Sequence, residues 1–256
     1  MSKIHSSGFN IFCFTWMLVA SWWVTAQPAI AVEGTPSAQL ATLADRFIER
    51  RMDLNPLMAT WITGEARYDD KFVNDLTPEF RAAERALYAE TLAALSQIDP
   101  RGLAETDRIT HAVLEYQVNM GLEATKYDFY LTPINQFNSM PLTLVQLAST
   151  KGAQPFRTVA NYEHFLTRVD GFPAWVESAI ANMREGMAKG VVQPKVLMLR
   201  VLPQLKSQIV TDPAASGFYL PVKNFPATIG EEDRARLTSA YRKAVVEKIT
   251  PAIVKL

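Results

Sequence analysis

The sequence predicts an all-α fold, a multi-helix domain of about eight or nine helices with irregular connecting loops. Three observations carry this. Apolar residues recur at three- and four-residue spacing along most of the chain, as one face of a helix requires. Proline and glycine fall where such segments begin and end. Sustained polar–apolar alternation, the mark of a half-buried strand, is missing.

The first thirty residues obey a different logic. Lys3 supplies a short positive start, and an apolar stretch runs from Phe9 to Val24. Ala29-Ile30-Ala31 follows with the small-x-small pattern that signal peptidase accepts, so residues 1–31 are expected to be a cleaved signal peptide. The apolar run is nearly long enough for a retained anchor, which is the competing expectation. Cys13, the only cysteine, lies inside this run behind Asn10-Ile11-Phe12. No small residue precedes it, as lipoprotein processing would need, so lipidation is not expected. An exported chain, periplasmic or extracellular, then carries no cysteine, hence no disulfide, thiolate ligand or cysteine nucleophile.

Each helix can be justified in order. Residues 32–38 read as a linker holding Gly34 and Pro36, and Leu40, Leu43, Phe47 and Ile48 mark the first buried face. Asn55-Pro56 ends that helix, and a short one through Trp61 stops at Gly64. Arg67 to Asp75 reads as an ordered loop. Thr77-Pro78 opens a long helix by capping and by proline in the first turn, with Phe80, Ala83, Leu87, Thr91 and Leu95 as its core stripe.

The next helix runs from about Thr106 to Tyr127, with Ile109, Val113, Tyr116, Val118 and Met120 as its core residues. Leu131 to Pro141 is irregular, and a brief helix covers Leu142 to Ala148. Thr158 caps a helix through Tyr162, Phe165 and Val169; another, carrying Val176, Ala179, Ile180, Met183 and Met187, closes at Gly190. Further helices are expected from Pro194 to Val210 and from Glu231 toward Ile249, where Pro251 interrupts. Between those two, Phe218-Tyr219-Leu220 reads as a short extended piece. The pattern is still running at Leu256, which points to an N-terminal portion of something longer.

Composition excludes some functions. Hydrophobic residues make up 48 % and charged residues 20 %, enough for a real core, and 26 basic residues balance 26 acidic ones. Phosphate binding draws on a basic excess that is absent here, so nucleic acid is not an expected partner. Membrane contact is expected only through the N-terminal segment.

Chemistry is harder to find. Outside residues 1–31 only His111 and His164 offer imidazoles, and neither belongs to a His-Glu-x-x-His motif. No catalytic or cofactor-binding residue is assigned, and no cofactor is expected in this chain. Asp107, His111 and Glu115 recur every four residues on one helical side and are the only metal-site candidates, against a plainer reading as a solvated face with local His–carboxylate pairs. His164, beside Glu163, reads as a surface or boundary histidine. Tyr68, Asp69 and Asp70 form a possible substrate-facing loop, though Asp-Asp in a loop is usually a turn feature. Asn135, Gln136 and Asn138 carry amides suited to gripping a peptide backbone, but such amides commonly satisfy their own loop. Arg184-Glu185 reads as an ion pair within or between helices.

Several short motifs occur in an ordered series: Asn55-Pro56, Tyr68-Asp69-Asp70, Ile98-Asp99, Asn161-Tyr162-Glu163 through Arg168, Met183-Arg184-Glu185-Gly186, Gly190-Val191-Val192 and Pro194-Lys195, then Tyr241 and Pro251-Ala252. In that order and spacing the chain resembles the bacterial family called domain of unknown function 885. The resemblance implies export and a larger fold similar to zinc metallopeptidases, whose His-Glu-x-x-His-type motif lies in a C-terminal half without counterpart here. It therefore implies an N-terminal helical region that walls a peptidase cleft, with zinc expected only together with that half and peptide as the substrate of the full-length protein. The alternative is a free-standing helical binding or scaffold protein of the cell envelope. If a missing half normally covers these helices, an unusually large apolar surface should be exposed.

Overall fold

Thr35 accepts a hydrogen bond from the Ala38 amide (3.3 Å) and Pro36 occupies the first helical turn. The first helix therefore starts inside the expected linker, because cap and proline together supply a complete helix start. The computed structural model describes residues 34–149 and 152–256; residues 1–31, read as a signal peptide, lie outside them. The described residues hold the helices α1 (Pro36–Leu54), α2 (Pro56–Thr63), α3 (Pro78–Leu95), α4 (Glu105–Ala124) and α5 (Met140–Ala148). They continue with α6 (Val159–Asp170), α7 (Phe172–Lys189), α8 (Lys195–Lys206), α9 (Glu231–Ala244) and α10 (Thr250–Lys255). No strand occurs among the described residues. The fold is all-α.

Two cores organise the helices. In the smaller one α3 packs against α1 and α4, burying Leu40, Phe47, Leu87, Leu95, Leu114 and Val118. The larger one gathers α5, α6, α7, α9 and α10 around an aromatic centre in which Tyr162, Phe165, Phe172, Trp175, Phe218 and Tyr241 are almost fully buried. Tyr241 donates to the Tyr162 carbonyl at 3.0 Å, so its hydroxyl is satisfied inside apolar surroundings.

Several local expectations need correction, among them Ile48 on α1 and Ala83 on α3, which are exposed rather than core. On α4 the buried face is His111, Leu114 and Val118, while Ile109, Val113, Tyr116 and Met120 face solvent at 61, 50, 67 and 51 % exposure. The helix carries two apolar stripes on opposite sides, and α1 and α3 cover only one of them. Phe218-Tyr219-Leu220 is not extended: Gly217–Val222 is a 3-10 helix started by Ser216, whose hydroxyl accepts from the Phe218 amide (3.2 Å). Pro251 does not stop the last helix. The ladder widens to a π segment at Val245–Ile249, and α10 starts anew with Pro251 in its first turn, where no amide is required. On α7, Met187 is 68 % exposed rather than core.

The end of α7 follows the sequence closely. Gly190 adopts φ +74°, and the Val191 amide reaches back to the Gly186 carbonyl at 2.8 Å, the six-to-one bond of a Schellman cap. That turn releases the chain into residues 191–194 and α8.

Candidate functional site

The segment before α3 is strapped to α7. Asn74 donates to the Ser178 hydroxyl (2.9 Å), Asn182 donates to the Leu76 carbonyl (3.0 Å), and the Trp175 indole donates to Asp75 Oδ1 (2.8 Å). Thr77 then caps α3 by accepting from the Phe80 amide at 3.1 Å. Beside this strap, between the start of α3 and the 127–133 turn, lies a cleft of about 780 Å³. Its walls are the first turns of α3, the 127–133 turn after α4, and Trp175.

The lining mixes aromatic rings with both signs of charge. The Arg81 guanidinium lies 3.8 Å from the centre of the Tyr130 ring and also donates to the Leu76 carbonyl (2.9 Å), so it is fixed on the wall. Tyr130 in turn donates to Glu185 at 3.3 Å, and Glu185 pairs with Lys189 at 2.6 Å. Glu185 thus belongs to an ion pair within α7, and its carboxyl is held below the usual range by the Lys189 hydrogen bond.

Two carboxylates face the same cleft. Asp75 opens to solvent at the mouth, yet the surrounding walls displace enough water to push its carboxyl up, against the indole bond that favours the charged form. Glu84 is pushed up as well, first by desolvation and further by the charge of Asp75, against a long bond from the Tyr88 hydroxyl (3.4 Å). Carboxylates beside a fixed guanidinium and aromatic faces can accept amide hydrogens, donate to a carbonyl through the guanidinium, and stack on side chains. That set suits a polypeptide segment.

A second polar cluster is sealed inside. Arg168 has no exposed surface. Its guanidinium donates to the Lys71 carbonyl (3.0 Å), the Thr60 hydroxyl (2.8 Å), the Tyr68 carbonyl and Gln154 Oε1. Desolvation brings its pKa down to about 10 despite the nearby Asp69 and Asp70. Asp69 is pushed up by burial, with Arg168 and His164 pulling the other way. This cluster ties α6 to α2 and to the 66–71 turn and has no opening of its own.

The sequence-predicted candidates fall as follows. Tyr68 and Asp69 are 0 % and 1 % exposed and belong to the sealed cluster, so they do not form a substrate-facing loop; the turn folds inward to meet Arg168. Asn135 Oδ1 accepts from the Phe137 and Asn138 amides (2.9 and 2.8 Å), which closes its own turn and uses the acceptor meant for a peptide. Gln136 offers its carbonyl to Gln204 (3.2 Å), and its Oε1 is buried without a partner. Asp107, His111 and Glu115 stay strung along α4: His111 Nδ1 is 3.9 Å from Glu115, and Nε2 is buried in the smaller core with no partner. The plainer reading holds at Glu115, whose carboxylate is 54 % exposed and pairs locally with the histidine, and fails at His111, which is buried. His164 is half-buried with Nδ1 unpartnered.

Among the described residues no group of three or more His, Cys, Asp or Glu side chains is placed to hold a metal ion. The described residues therefore do not fit a catalytic zinc, which needs three protein ligands converging at about 2 Å. No helix among the described residues is long and apolar enough to cross a membrane.

Sequence reasoning missed Asp75, Arg81, Glu84, Tyr130 and Trp175. No local signal marks them, since Trp175 and its partner Asp75 are 100 positions apart. Arg168 did leave a signal: it sits one residue before Val169 on the stripe formed by Tyr162 and Phe165, where a charge must be fully bonded to be tolerated.

Comparison with known proteins agrees with this architecture. No match was found among the curated proteins. A solved structure described as "the putative lipoprotein from Colwellia psychrerythraea" matches with a TM-score of 0.65 and 16 % identity over 87 % of this chain, which shows a shared fold. The chain spans 40 % of that protein's length. The model of the family described as bacterial protein of unknown function (DUF885) matches residues 56–256. The chain belongs to that family.

Proposed function

We propose that this chain is the N-terminal, cleft-walling part of an exported metallopeptidase-like protein, a module that holds a peptide and does not hydrolyse it alone. The observation that carries the reading is the cleft between the two cores: wide, open, lined with aromatic rings, two raised carboxylates and a fixed guanidinium. No set of zinc ligands accompanies it among the described residues. Without metal ligands there is no site in these residues to acidify a bound water, so the work left to them is binding and orientation.

Export rests on the expected cleavage site at Ala29-Ile30-Ala31 and on the description of the solved relative as a lipoprotein. That relative is two and a half times as long as the portion matched here, which supports a role as part of a larger helical fold.

The test is calorimetric titration of the purified protein with an unstructured peptide mixture. Binding in the micromolar to millimolar range, weakened about tenfold by Arg81→Ala through loss of the guanidinium fixed on the wall, is the expected result. Peptide binding unaffected by Arg81→Ala, or none, would remove the cleft from the account.

A further inference from the structure

On α8 the buried residues Val201 and Leu205 lie on one side, and the opposite side is open. There Val196, Leu199 and Leu202 are 60, 58 and 46 % exposed, with Pro203 between them. At 100° per residue Val196, Leu199 and Pro203 form the middle of this apolar face, with Lys195, Lys206 and Leu202 to one side of it and Arg200 to the other. α8 contains no acidic residue, and none of its three cations makes an ion pair among the described residues. On the neighbouring α7, by contrast, Lys189 is held by Glu185 at 2.6 Å.

The surface beside α8 is not flat. On one side is an apolar hollow of about 240 Å³ lined by Leu131, Ile134, Met183, Met187, Val192 and Met198. On the other, Leu199 and Pro203 face Phe137, which is 78 % exposed, across a second hollow. A bilayer surface leaves such hollows empty, whereas side chains projecting from a helix fill them. Three thioethers in the first hollow can adjust to the shape of the incoming group.

We propose that this groove docks an amphipathic helix whose apolar face carries leucine-sized side chains and whose flanks are acidic. Its apolar residues enter the hollows beside α8, and its carboxylates meet Lys195, Lys206 and Arg200. Helix-in-groove recognition of this kind reads apolar anchors at three- and four-residue spacing, and flanking charge selects the partner. The groove is separate from the cleft between the cores, and either assignment stands if the other falls.

The experiment uses two designed helical peptides of about 15 residues with the same leucine stripe, one flanked by glutamate and one by lysine. Fluorescence anisotropy with the purified protein should show the glutamate peptide binding about tenfold more tightly at low salt, a preference shrinking as salt rises. Leu199→Asp, at an exposed position where the melting temperature serves as a folding control, should abolish binding. Reversing the flanks with K195E, R200E and K206E together should make the lysine peptide the better ligand. Equal binding of both peptides, binding that survives Leu199→Asp, or none would overturn the proposal. So would sedimentation with phosphatidylglycerol vesicles without peptide binding, which would assign the face to a membrane.

Discussion

The α1–α3–α4 bundle and the aromatic core solve the same packing problem differently. The bundle is mainly aliphatic and one-sided: α4 buries His111, Leu114 and Val118 and leaves its second apolar stripe in solvent. The larger core is closed around rings that meet edge-on or stacked at 5–6.5 Å, with Tyr162, Phe165 and Tyr241 at its centre. A closed aromatic core is self-supporting, while a one-sided bundle is stable through whatever it joins. The join is the Arg168 cluster together with the strap of residues 74–76 to α7, and the candidate cleft lies in the gap beside them.

The largest expected effect therefore sits at the join. Arg168→Met removes the donor that satisfies the Lys71 and Tyr68 carbonyls, Thr60 and Gln154, and leaves Asp69 buried without its opposing charge. A loss of about 3–5 kcal/mol is expected in urea denaturation. If the two regions are as unequal as argued, the variant should also separate one unfolding transition into two, the bundle going first. A single shifted transition would make them one cooperative unit.

A smaller effect is expected in the cleft, with a sign set by linkage. The folded-state pKa of Glu84 lies above its unfolded value, so the folded protein holds this proton more tightly and is stabilised as pH falls toward the ordinary glutamate range. Above the raised pKa the buried charge is a cost. Glu84→Gln should raise the urea midpoint at pH 7, and its advantage over the parent should shrink by pH 5. An advantage that stays constant or grows on acidification would contradict the desolvated cleft.

The smallest effect belongs to the open stripe. Ile109→Ser with Val113→Ser should change stability by no more than about 0.5 kcal/mol per site, because neither side chain is buried. The pair should instead reduce self-association in analytical ultracentrifugation, since contiguous exposed apolar surface drives association. A marked loss of stability would mean that the stripe is packed.

The comparison also shows what the sequence could and could not display. Helix starts at Thr77-Pro78 and Thr158 and the stop at Gly190 were legible because caps are local chemistry. The orientation of α4 was not: its two apolar stripes are equivalent in periodicity, and only packing against α1 and α3 decides between them. Pro251 misled because a π segment upstream lets the rod restart around it. The cleft was invisible for a related reason. Asp75 and Trp175, or Arg81 and Tyr130, become a site only when the two cores meet. Tyr68 and Asp69 stood out in the sequence yet serve the interior, where Arg168 needs their turn.

Metal analysis combined with a peptidase assay on the purified protein, dialysed against zinc and then freed of excess, tests the central claim most directly. A binding module without convergent ligands predicts no stoichiometric zinc and no peptide cleavage above background. One tightly held zinc per chain accompanied by cleavage would contradict it.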